Sequence, residues 1–313
     1  MNGTGFYFLI LILLGAGWGL THPFMKIAVS TGHQYFGLIV WQLVVTAAIL
    51  LVINLVRRRG LPMAGRYIVR YILMALIGTV VPNSISYQAA FHLPSGVLSI
   101  LISLVPMFAL PLALLVRAEQ FSITRFLGVV CGAIAIILLV GPKTSLPDPS
   151  LTFWVLLGAL APLMYAIEAT WVSKYGILDL DAVQLLLGAS LVGLVIVVPL
   201  ALVTGQWVDL TEPWGAPIWA LHASSAIHAF VYVAYVWLVG RTGSVFASQV
   251  SYIVTGTGVF WAILLLSEGY SGWVWSTMAV MMIGLFLVRP RSVDPHVTVP
   301  LAPRSASGEN TDH

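Results

Sequence analysis

The sequence predicts an all-α polytopic membrane protein whose ten transmembrane helices form two inverted five-helix repeats. Three observations carry that prediction. The first is composition: 59% of the 313 residues are hydrophobic, 8% are charged, and the mean hydropathy is +0.99, outside the range of water-soluble domains. The apolar runs are long enough to cross a hydrocarbon layer of roughly 30 Å, which takes about 20 helical residues. Short segments of alternating polarity, the mark of a membrane β-barrel, are absent.

The second observation is where the basic residues fall. With the N-terminus inside, the cytoplasmic loops hold Arg57, Arg58, Arg59, Arg66, Arg70, Arg117, Arg125, Lys174, Arg241, Arg289, Arg291 and Arg304, and the outer loops hold only Lys26 and Lys143. That split, 12 against 2, obeys the positive-inside rule, and removing one span would scramble it. The third is an internal recurrence. Ser95–Glu119 reappears 149 residues later as Ser244–Glu268, sharing Ser95/Ser244, Ser99/Ser248, Val105/Val254, Ala113/Ala262, Leu115/Leu264 and Glu119/Glu268, while Tyr87 and Tyr235 pair at a shift of 148. Five spans is an odd number, so the second copy must sit upside down relative to the first.

The spans are expected at 6–27, 35–56, 67–91, 95–117, 122–141, 152–174, 181–204, 214–239, 244–267 and 271–289. The first lacks a basic n-region and is too long for a signal-peptide core, which makes it an uncleaved span. The second stops at the Arg57–Arg59 run, and the third is interrupted by Pro82. The fourth follows Pro94 and ends near Glu119; the fifth stops before Pro142. The sixth carries Glu168 and ends at Lys174, and the seventh follows Asp179 and opens at Asp181. The eighth ends before Arg241, the ninth ends at Glu268, and the tenth ends at Arg289. Connections are short, as between antiparallel neighbours. The resulting units are 1–143 and 150–290, followed by a Pro- and Ser-rich tail, 291–313, expected to be disordered and cytoplasmic.

The same features exclude other classes. The basic residues sit in loops between spans, so the charge of +3 indicates no nucleic acid. A single cysteine, Cys131, lies mid-span and forms no internal disulfide. No G-x-x-x-x-G-K-[ST], H-E-x-x-H, G-x-S-x-G or paired-aspartate motif is present. The chain is therefore expected to be no enzyme, with no catalytic residues, no metal site and no cofactor.

Polar residues inside the spans are the candidate binding residues, because an ionisable group at bilayer depth costs roughly 2.5–3.5 kcal/mol on insertion scales and normally faces a cavity or a partner. Glu168, the one acidic residue well inside a span, either binds a cationic group, carries a coupling proton, or pairs within the protein; Tyr165 shares its face. In the eighth span His228, Tyr232 and Tyr235 continue a polar-aromatic stripe that starts at Ser224. In the third, Asn83 and Tyr87 lie just after Pro82, where a freed carbonyl is tolerated beside a cavity. Trp18 and His22 break the first span among Gly15, Gly17 and Gly19, glycines that permit close helix approach. Gln249 and Tyr252 open the ninth. For Asn83, Tyr87, Gln249 and Tyr252 the plainer reading is interhelical hydrogen bonding, and for His228 a structural role. Glu119 and Glu268, at span ends beside an unfavourable dipole, are expected to need a donor and to act in structure or gating. Trp207, Trp214, Trp219, Trp273 and Trp275 are expected as interfacial anchors.

The chain resembles the drug/metabolite transporter superfamily of the EamA type, over residues 6–290. The resemblance lies in GAGWGLTHPFMK of the first span, in Tyr87 ahead of the Pro-containing span that ends in Glu119, and in Gly128 and Gly284 following Glu119 and Glu268. The pattern departs at Thr255, where the family usually has proline, and at Ala135 and Thr277, where it has glycine. The resemblance implies a multi-pass protein of a bacterial inner membrane with both termini cytoplasmic, an exporter or exchanger of small metabolites such as amino acids or related solutes. The partners are then a small-molecule substrate, the lipid bilayer and, as a candidate coupling ion, the proton; oligomeric state is left open. Alternating access around a central cavity is the expected mechanism, with a non-catalytic membrane scaffold or a channel as the alternatives.

Overall fold

The computed structural model describes residues 3–117, 119–142, 148, 150–211, 213–242 and 249–288. The 291–313 segment expected to be disordered, and Ser244 and Ser248 of the recurrence, lie outside these residues. Among the described residues the chain is all-helical: α1 (Gly3–Val29), α2 (Tyr35–Val56), α3 (Gly65–Ala75), a π-helical turn (Leu76–Val80), α4 (Val81–His92), α5 (Ser95–Ile102), α6 (Val105–Leu115), α7 (Ile123–Val140), α8 (Leu151–Gly158), α9 (Leu160–Tyr175), α10 (Ala182–Val203), α11 (Ala216–Thr242), α12 (Val250–Leu266) and α13 (Gly272–Val288). Consecutive pieces join into rods, of which eight are long and apolar enough to cross a membrane; α12 and α13 are shorter apolar helices of 17 residues each. The outer surface is apolar to match, with Val203 87%, Leu115 79% and Val56 78% exposed.

Proline explains the interruptions within rods. It has no N–H to offer the carbonyl four residues back and its ring clashes with that carbonyl. Pro82 withholds a partner from Gly78, and the chain answers with the π turn, in which the Val81 N–H reaches Leu76 O. Pro106 releases Ile102, and the fourth rod tightens there into single turns, Ser103 N to Ile100 O and Leu104 N to Leu101 O. Pro162 releases Gly158, where α8 gives way to α9 at Ala159. Ends are set by local chemistry: Asp181 and Gln184 form a reciprocal capping box at the start of α10, and α9 stops at Gly176 in the left-handed region, φ 67°.

The helices before and after the 142–151 connection interleave. The principal packings are α1 with α11 and α12, α4 and α6 with α9, α2 with α10 and α11, α3 with α10, α5 with α12, and α7 with α13. Exchanging each helix for its same-order counterpart across the connection turns this set into itself: α1 on α11 becomes the α8–α9 rod on the α3–α4 rod, and α2 on α11 becomes α10 on α3. The α7–α13 packing depends on glycines facing each other. A Cβ at Gly128 would lie 2.7 Å from Gly284 O, and one at Gly284 3.0 Å from Gly128 O. Such backbone approach is how apolar helices gain contact where lipid supplies no hydrophobic drive between them. The glycines of α1 serve the same purpose, meeting Ile253, Val231 and Thr257.

Candidate binding cavity

Where the broken rods converge there is a cavity of about 350 Å³, walled by α1, α2, α4, α5, α6, α8, α9, α11 and α12. That size lies at the lower end of small-molecule sites. Seven of the expected residues line it: Trp18, His22, Asn83, Tyr87, Tyr165, His228 and Tyr235. The proline breaks are part of its wall, through Ile102, Ser103, Gly158 and Pro162. Irregular backbone at membrane depth is tolerated where it lines such a space.

The remaining four expected residues are not among the lining. Glu168 lies three residues past Tyr165 on α9, with its carboxylate against Gly78 of the π turn. Tyr232 follows His228 by four residues on α11, the two rings stacked at 6.4 Å and 23°. Gln249 immediately precedes α12 and accepts the Tyr252 N–H through its carbonyl. Tyr252 packs against the main apolar core. Sequence spacing placed these side chains on promising faces, but a face does not fix the depth at which the space opens.

The lining side chains are tied to one another in a way that fixes donor and acceptor roles. Tyr165 Oη donates to Asn83 Oδ1 at 2.9 Å, and Tyr87 Oη donates to Gln42 Oε1 at 3.1 Å. Trp18 Nε1 donates to His228 Nδ1 at 3.2 Å. Indole N–H only donates, so His228 Nδ1 accepts and its proton sits on Nε2. His22 Nδ1 lies 3.4 Å from Gly19 O; a carbonyl only accepts, so here Nδ1 carries the proton and Nε2 the lone pair. Thr255, at the position of the expected proline, donates to Ser251 O at 2.8 Å, and Ser103 bonds its hydroxyl, tying α5 to α12. A proline could make neither bond.

Gln42, Thr21, Ser86, Ser103, Ser224 and Ser251 also line the cavity. Gln42 was the one to find, a half-buried amide in the middle of the second span, where a polar group at membrane depth needs a reason.

Glu168 makes no hydrogen bond or ion pair with the described residues. Only glycine leaves it room: a Cβ at Gly78 would sit 2.6 Å from Glu168 Cδ and 2.9 Å from Oε2. Single π turns recur at functional sites. Glu268 and Glu119, by contrast, have found donors. Glu268 caps the N-terminus of α5, accepting from Ser95 N at 2.9 Å and Gly96 N at 3.3 Å and from the Tyr270 hydroxyl. Glu119 pairs with Arg125 at 2.9 Å. Elsewhere Arg57 pairs with Asp181 at 2.7 Å, and Tyr67 donates to Asp179 at 2.8 Å. Among the described residues no three His, Cys, Asp or Glu side chains are grouped to hold a metal ion.

Comparison with known proteins fits this architecture. The Uncharacterized transporter YoaV of Bacillus subtilis (strain 168) is 24% identical over 259 residues, covering 80% of this chain and 85% of its own. A protein of known crystal structure superimposes with a TM-score of 0.62 at 14% identity, covering 90% of this chain and 96% of that one, a likeness of fold alone. The profile of the EamA-like transporter family matches twice, over residues 5–141 and 152–289, the two stretches whose helices interleave around the cavity. With nearly its whole length so matched, the chain belongs to the EamA-like transporter family and is a multi-pass membrane protein.

Proposed function

We propose that the chain is a secondary transporter that carries a small metabolite across a bacterial inner membrane by alternating access. In this reading α12 and α13 also cross, giving ten spans in two inverted five-helix repeats, 1–143 and 150–290, with both termini cytoplasmic. The observation that carries it is the cavity itself, walled by helices of both family matches where three rods are broken. The packing pattern that survives exchange of the halves supports a pseudo-two-fold relation, the device by which one pocket opens to either side. Trp18, His22, Asn83, Tyr87, Tyr165, His228 and Tyr235 contact the substrate. Glu168, without a hydrogen bond or ion pair among the described residues and outside the lining, carries a coupling proton, and Tyr232 lies near it. Gln249 and Tyr252 stand at the cytoplasmic entrance to α12. Export or exchange of an amino acid or related solute is the direction and cargo the family suggests.

The test is counterflow in proteoliposomes loaded with candidate amino acids, organic acids and amines. A carrier gives flux that saturates with external substrate; flux that rises linearly indicates a pore, and none for any solute indicates a scaffold.

A further inference from the structure

The hydrogen bonds inside the cavity leave an unequal set of unused polar atoms. Asn83 and Gln42 each spend their carbonyl oxygen on a tyrosine hydroxyl, and their NH2 groups make no bond to the described residues. The indole of Trp18 leaves His228 with its Nε2–H as the free edge. His228 Nε2–H is a donor by its tautomer, and the two amides present their NH2 groups while each tyrosine hydroxyl donates to the carbonyl oxygen. The two amide oxygens, by contrast, each already accept one hydroxyl and keep a single lone pair. Among the described residues no carboxylate lines the cavity; Glu168, three residues past Tyr165, lies against Gly78. What remains to accept is those lone pairs, single hydroxyl oxygens, the Nε2 of His22 and the carbonyls at the proline breaks, all of them neutral. Those suit one neutral N–H or O–H, not an ammonium with three donors and a full charge, which in a dry site needs an anion beside it.

We infer that this cavity recognises the oxygens of a carbonyl or carboxylate group carried on a flat apolar body, and rejects simple amines. The head lies against the Asn83 and Gln42 amides and the His228 Nε2–H; the body lies against Trp18 and Tyr235, whose rings meet at 5.3 Å, and against the aliphatic wall of α5 and α12. The inference rests on the reading of this cavity as the transport site, but its chemistry is tested by binding alone.

The experiment uses three probes that share one ring and differ in the head: phenylacetate, phenylacetamide and 2-phenylethylamine. Thermal stability of the purified full-length protein in nanodiscs is measured against each. Acid or amide, or both, raises the midpoint, and the amine binds at least about tenfold more weakly, the cost of an ion without its partner. Acid alone marks an anionic ligand; amide alone or equally marks a neutral carbonyl. Asn83→Asp keeps the acceptor for Tyr165 and removes the free NH2, so the acid loses at least about tenfold and the amine gains. Gln42→Glu gives the same inversion from the opposite wall should the first variant fold poorly. An amine that binds the wild type as well as the acid and amide, no shift with either oxygen-headed probe, or an unchanged order in both variants overturns the inference. Counterflow separates the two readings: a probe that binds but shows no counterflow refutes transport and leaves the recognition chemistry standing, and counterflow of the amine alone does the reverse.

Discussion

Gly78→Ala separates stability from transport at one atom. The new methyl would fall within 2.6 Å of Glu168 Cδ and 2.9 Å of Oε2, so the carboxylate must move. It is the far end of a flexible side chain with no partner to lose, and its displacement costs about 0.5–1.5 kcal/mol of rotamer strain at most. Against that, alanine in a helix interior is favoured over glycine by roughly 0.5–1 kcal/mol. The two nearly cancel, so the thermal midpoint in detergent stays within about 1 kcal/mol of wild type. Tyr165 keeps its bond to Asn83, so ligand affinity changes less than about threefold, under 1 kcal/mol. Proton-driven uptake, which in this account needs Glu168 where it is, falls at least about tenfold, worth 1.4 kcal/mol or more, and the pH for half-maximal rate moves. The assay is uptake in proteoliposomes under an imposed pH gradient, run beside equilibrium binding. Glu168→Gln removes the proton-driven component, and adding Gly78→Ala to it changes nothing further, because both act through one group. A Gly78→Ala protein with wild-type uptake and pH profile, or a further loss in the double variant, refutes the reasoning.

The remaining expectations concern packing and charge. Gly128→Ala puts a methyl 2.7 Å from Gly284 O, a backbone atom that cannot step aside, and should destabilise by about 1–3 kcal/mol as a lowered midpoint. Thr277 is fully buried in α13 and its hydroxyl has no hydrogen-bond partner among the described residues; Thr277→Val keeps the shape and should raise stability by about 1 kcal/mol. Asp181 is partly buried, which opposes ionisation, but the Arg57 guanidinium and the Gln184 and Val183 amides outweigh that and hold its carboxyl below the usual range. Its contribution is therefore complete above the ordinary aspartate pKa and fades as the pH falls through the lowered value. Asp181→Ala should cost about 1 kcal/mol as a lost cap at neutral pH, and less in acid, read from midpoints at pH 7 and pH 3.

Much of the fold was legible because lipid imposes simple rules: apolar runs of the right length and a break at proline. Pro82 announced an interruption, whereas those at Pro106 and Pro162 were not read from the sequence, and the donors expected for Glu119 and Glu268 are Arg125 and the N-terminus of α5. The five Trp residues expected as anchors are 39–61% exposed. Legibility stopped at depth. Helical spacing put Glu168 on the face of Tyr165, and Tyr232 with His228, yet a cavity a few residues deep admits one turn and misses the next. Gln42 escapes a sequence reading because its role exists only through Tyr87, 45 residues away. The π turn at Leu76–Val80 leaves no mark beyond Gly78 and Pro82, four apart; it is intelligible once Glu168 is seen to need the space.

The central claim is that one cavity between the two matched halves communicates with both aqueous faces in turn. The single native cysteine makes a direct measurement simple: in a Cys131→Ser background, Ser224→Cys places one thiol on the cavity wall. Membrane-impermeant maleimide is applied to sealed vesicles of each orientation under exchange conditions. Labelling from both faces, with loss of counterflow as the thiol reacts, is the predicted result. Labelling from one face only, or full labelling that leaves counterflow intact, would contradict it.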